Sequence, residues 1–143
     1  MNAFFQSMVV PAIRGNTGVY WCAGWFAIQG MTALVVAILD DGIFSTLLAL
    51  VFGALCIYAA LGLLRALKPA WHVATFLAFL MIILNSVAIA CAPGEIADGD
   101  KHLLEAAFDI VLLAIFILVY SRLRKPGVRS LYGVPETYRP EPS

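Results

Sequence analysis

Two carboxylates, Glu105 and Asp109, stand four residues apart inside LLEAAFDIVLLAIFILVYSRL, the apolar run at residues 103–123. An acid in such a run can take up and release a proton or meet a cation in transit, and intramembrane ionisable residues are functional candidates by default. The same group can instead serve structure, by hydrogen bonding to a neighbouring helix and fixing its register. Either way it is costly, roughly 2.5–3.5 kcal/mol at the centre of a span on insertion scales, so another span must supply a partner or a route to water. Asn85 on the third apolar run and Thr32 and Gln29 on the first are the candidates. At about 1.5 Å per residue, Asp109 lies about 9 Å inside the start of its run, and Asn85 and Thr32 about 10 Å inside the same edge. Gln29 falls one turn deeper. The spacing predicts an intramembrane polar layer of Asp109, Asn85 and Thr32, with Gln29 beneath it and Asn85 facing Asp109.

Glu105 follows Lys101 by four residues and His102 by three, spacings that let the three pair along a helix start, where a negative charge also suits the dipole. Together with Asp98, Asp100 and Asp109 they form no defined ligand motif, so no metal is expected. The two histidines, His72 and His102, belong to opposite ends of the spans and cannot sandwich a haem. No cofactor is expected. Cys22, Cys56 and Cys91 fall on three different runs without a CxxC pair, which argues against a disulfide framework. No serine has a histidine and an acid at matching depth, and neither a phosphate loop nor HExxH occurs, so the expectation is a non-enzymatic protein. A formal net charge of zero argues against a nucleic-acid partner, which would require a basic face.

The elements that must position these groups follow from composition. With 62% hydrophobic and 13% charged residues over 143 positions, and a mean hydropathy of +0.92, the solvent is lipid. Four apolar runs, at about 19–39, 43–64, 70–92 and 103–123, each match the roughly 20 residues a bilayer requires. Asp40-Asp41-Gly42 and RALKP make tight turns, and PGEIADGDKH joins the last two runs. Short connections force neighbouring spans antiparallel. The predicted fold is therefore all-α, a polytopic membrane protein with a four-transmembrane-helix antiparallel bundle. Pro69 presets the first turn of the third span and Pro93 is expected to end it. Residues 1–18 read as an interfacial helix or a loose arm, and residues 124–143, rich in proline and base, as a tail with too little apolar content to fold. Under alternation, every lysine and arginine except Lys101 lies at one end. By the positive-inside rule that end, with both termini, is cytoplasmic, and the protein is a multi-pass protein of the inner membrane.

Lipid gives helices no hydrophobic drive to associate, so close packing requires small residues on facing stripes. Ala49, Gly53, Cys56 and Ala60 form one on the second span, and Ala74, Ala78 and Ala88 with Asn85 form one on the third. Gly30, Ala33 and Ala37 give the first span a shorter version. The junction GLLRALKPAW and the tail pattern SRLRKPGVRSLYG resemble small four-helix bacterial integral membrane proteins of unknown function. That resemblance spans two short stretches, implies topology, and transfers no active residue. The functional expectation is an accessory or structural subunit acting through helix packing, with the lipid bilayer, copies of itself or a larger membrane complex as partners. The alternative is a small oligomeric transporter or channel-like protein that uses Asp109 for proton or ion handling.

Overall fold

The computed structural model describes residues 3, 9, 11, 16–99 and 102–133. Four helices are long and apolar enough to cross a membrane: α1 (Thr17–Leu39), α2 (Ile43–Leu64), α3 (Lys68–Ala97) and α4 (Leu103–Leu123). A short helix, α5 (Pro126–Leu131), follows. The protein is all-helical among the described residues, and its long helices pack as an up-down-up-down bundle. The α1–α2 hairpin is the most extensive pairing, followed by α3–α4 and α2–α3, whereas α1 meets α4 over only a short stretch.

Local chemistry sets the boundaries. Asn16 caps α1, its Oδ1 accepting the Val19 N–H at 3.3 Å, which satisfies one of the orphan donors of the first turn. At the α1–α2 turn the Asp40 carboxylate accepts the Gly42 N–H at 3.2 Å, and the Ser45 hydroxyl lies 3.0 Å from the Gly42 carbonyl. Hydrogen bonding from Ser45 first, and then from the Gly42 N–H, holds the Asp40 carboxyl below its ordinary pKa of 3.8. The α2 helix ends in a Schellman motif: the Leu67 N–H reaches the Gly62 carbonyl at 2.9 Å and the Ala66 N–H reaches Leu63 at 3.3 Å. Ala66 takes the left-handed position at φ 55°, where glycine is usual. Gly62 permits the turn, since a Cβ there would collide with the Ala70 Cβ on α3.

Pro93 does not end the third span. The helix runs through it to Ala97, 30 residues in all, against the expected 70–92. A membrane helix tolerates the lost bond to the residue 89 carbonyl because local adjustment re-satisfies the backbone. The tail differs too: residues 126–131 form α5, with Val128 and Tyr132 buried, and 134–143 lie outside the described residues. Of the N-terminal arm, Val9 is buried in the core and Pro11 is exposed, the rest lying mostly outside the described residues.

The core is gathered at one end. Phe26 of α1, Leu63 of α2, Trp71 of α3 and Leu123 of α4 belong to one buried cluster, at the end carrying Arg65, Lys68, Arg122, Arg124, Lys125 and Arg129. At the opposite end Leu39, Ile43, Phe44, Leu103 and Leu104 are exposed to the surroundings. Trp25 and Phe116 meet edge to face at 5.5 Å and lock α1 to α4 midway, a contact worth about 0.5–1.5 kcal/mol. The small-residue stripes lie at the seams. Gly53, Cys56 and Ala60 are buried and Ala49 is half-buried; Ala74 and Ala78 are buried and Ala88 half-buried. At the α1–α2 crossing Gly30 meets Gly53: a Cβ added to Gly30 would stand 2.9 Å from Ile57 Cγ1 and 3.1 Å from the Gly53 carbonyl oxygen.

Candidate functional site

The expected polar layer is distributed differently from the sequence prediction. Asn85 is buried, 7% exposed, and is the buried polar side chain among the described residues. Its Nδ2 donates to the Met81 carbonyl at 2.7 Å, one turn back on α3. Thr32 does not join it. Its side chain is exposed and donates to the Ile28 carbonyl at 2.9 Å on its own helix. Depth in the membrane places Thr32 level with Asn85, but helix rotation turns it outward, and a threonine hydroxyl can satisfy itself on the i−4 carbonyl. Gln29 is half-buried on α1.

Asp109 is half-buried on α4 and, with Leu104, Glu105 and Phe108, lines an open recess of about 770 Å³. Glu105 and His102 are exposed at the start of α4; Lys101 lies outside the described residues. The face of α4 that carries Glu105 and Asp109 turns inward farther along, where Leu113 and Tyr120 are half-buried and Phe116 is buried. Among the described residues no three His, Cys, Asp or Glu side chains converge. The carboxylates thus occupy the loosely packed half of the bundle.

The most developed polar geometry is at the other end, where three hydrogen bonds tie separate elements together. The Trp71 indole Nε1 donates to the Leu123 carbonyl at 2.9 Å, and the Tyr132 hydroxyl donates to the Leu63 carbonyl at 2.8 Å. The Leu123 carbonyl is in the last turn of α4, has no partner within its helix and needs one when buried, whereas the Leu63 carbonyl already accepts the Ala66 N–H and takes the tyrosine as a second donor. The Cys22 thiol points a weaker donor at the Val119 carbonyl, 3.8 Å away. The Arg129 guanidinium stands 5.9 Å over the Trp71 ring, joining α5 to the same knot. Burial pushes the Tyr132 hydroxyl pKa well above its ordinary 10.0, which keeps it a donor across the physiological range.

Beside this knot, the short α1–α4 contact leaves a groove of about 410 Å³ between Trp21 and Trp25 on one side and Ile115 and Leu118 on the other. Gly18 and Arg122 line its upper part and also line a second recess, of about 610 Å³, that includes Asn16 and Lys125. The Trp25 indole Nε1, closed off from solvent, has no hydrogen-bond partner among the described residues.

By sequence Trp71 stands at the start of the third span and Tyr132 falls in the tail. The signal for the docked segment is Pro126 followed by Val128, Leu131 and Tyr132, a helix start with apolar residues spaced three and four apart. Comparison with family models, with curated proteins and with solved structures finds no match for this chain.

Proposed function

We propose that this four-span membrane protein is a non-enzymatic accessory or structural subunit of a membrane assembly, built from further copies of itself or from other chains. The reading places it in the inner membrane with the basic end and both termini in the cytoplasm, as the asymmetry of lysine and arginine favours. The observation that carries it is the mismatch on α4. This helix bears Glu105 and Asp109, yet only 17% of its most apolar stretch is buried, against 33% for α2. Acidic side chains in spans are ordinarily turned toward protein or a water-filled cavity, so an outer half of α4 covered by another chain is the favourable arrangement. Exposed Phe108 marks that surface.

The test is a photo-crosslinking residue introduced at Phe108 in cells, with one at exposed Phe76 on α3 as the control. The expected result is a discrete protein adduct from position 108 and none from 76, its mass telling a second copy from a different chain. Only lipid adducts from position 108 would defeat the proposal. The rival reading, an oligomeric transporter or channel-like protein, draws on the recess that Asp109 and Glu105 line. It predicts proton or ion flux in liposomes that Asp109→Asn abolishes without lowering thermal stability.

A further inference from the structure

The groove between α1 and α4 changes character along its length. Its lower part is apolar and lies within the spans, walled by Trp21, Trp25, Ile115 and Leu118. Its mouth is basic. Arg122, in the last turn of α4, lines both the groove and the recess above it, and Lys125 lines the recess. The arginine reaches across the seam: its Cδ and Nη1 stand 3.9 Å from where a Cβ on Gly18 of α1 would be. Among the described residues neither compartment is lined by an acid, so the described lining of the mouth is basic. Lysine and arginine at a span end extend along apolar surface and hold their charge at headgroup level.

We propose that this groove is a binding site for one anionic phospholipid of the leaflet at the basic end. The phosphate sits between Arg122 and Lys125, and one acyl chain lies in the seam against Trp21, Trp25 and Ile115. Charge complementarity selects the occupant, because an anionic head joined to a hydrocarbon chain matches a basic mouth continuous with an apolar slot opening to lipid. Bound lipid would fill a helix seam that protein packs over only a short stretch.

The experiment uses the full chain in nanodiscs of phosphatidylcholine, titrated with either phosphatidylglycerol or phosphatidylcholine brominated on the acyl chains, reading tryptophan quenching. Trp21 and Trp25 report on the groove, whereas Trp71 is buried in the core and supplies a background. The expected result is that brominated phosphatidylglycerol quenches at lower mole fraction than brominated phosphatidylcholine. Neutralising one groove cation, Arg122→Gln or Lys125→Gln, lowers that preference about fivefold, the equivalent of roughly 1 kcal/mol per basic residue near the surface. Arg124→Gln is the decisive control. Arg124 is also basic and at the same level, but it is bonded to the Tyr120 hydroxyl at 2.7 Å and lines neither compartment. Its variant keeps the wild-type preference. No preference in the wild type overturns the proposal, and so does an equal loss in Arg124→Gln, which would mark a diffuse surface potential. Preferential quenching that survives in Trp21→Phe/Trp25→Phe overturns it as well.

Discussion

Gly30→Ala puts the α1–α2 crossing to a direct test. The added methyl would stand 2.9 Å from Ile57 Cγ1, 3.1 Å from the Gly53 carbonyl oxygen and 3.2 Å from Cys56 Cβ. The Ile57 contact can relax by a rotamer change, but the Gly53 oxygen is backbone and yields only if the helices part. Overpacking of this kind costs about 1–3 kcal/mol. Against it stands the better helix propensity of alanine, up to about 1 kcal/mol. The net expectation is a loss of about 1–2 kcal/mol. Gly24→Ala is the matched control on the same helix. Nothing lies within 4 Å of the position its methyl would take, so the change should be neutral or stabilising. The assay is reversible unfolding in mixed micelles, followed by tryptophan fluorescence. Gly30→Ala and Gly24→Ala unfolding at the same denaturant fraction would refute a backbone-limited crossing.

Ala66→Gly removes the strain of a left-handed alanine, at φ 55°, and should raise stability by about 1 kcal/mol in the same assay. A loss would show that the turn does not hold that conformation. Tyr132→Phe keeps the ring but loses the bond to the Leu63 carbonyl, and should lower stability by about 0.5–1.5 kcal/mol. Because the folded state raises the Tyr132 pKa, the stabilisation is complete below the ordinary value of 10.0 and declines as pH rises beyond it. Wild type should therefore weaken above that pH, and Tyr132→Phe should lack that increment. Asp40 behaves in the opposite sense: its pKa is depressed, so its contribution is present above the unfolded value and lost as pH falls through the folded one. The Gly42 amide resonance should titrate with a midpoint below 3.8, and a midpoint at or above that value would remove the turn's hydrogen bonds from the account.

The spans were legible because the bilayer imposes a length and an apolar composition that few other structures share. Rotation about each helix axis was not. Depth assigned Asn85 and Thr32 to one level, but Asn85 is buried and Thr32 exposed, since hydroxyl groups in spans bond to their own backbone and carry little orientational information. Pro93 misled because the rule that proline ends helices weakens inside a bilayer, where leaving the helix strands more backbone groups than the proline does. The docked start of the tail escaped for another reason. Val128 and Tyr132 are only two apolar anchors in a basic, proline-bearing stretch, and what retains them is a pair of surfaces assembled from distant segments.

That distance orders assembly in time. The turn at Asp40 to Gly42 and the Gly30–Gly53 crossing join neighbours in sequence, so the first hairpin can zip as soon as two spans have entered the bilayer. The basic end joins Cys22 to Val119 across 97 residues and Tyr132 to Leu63 across 69. Synthesis must pass α4 before either bond can close. A nascent chain halted after Leu123 would hold all four spans while the Leu63 carbonyl still lacked its tyrosine, a half-open intermediate. The Tyr132–Leu63 bond is therefore among the last contacts of the bundle to close.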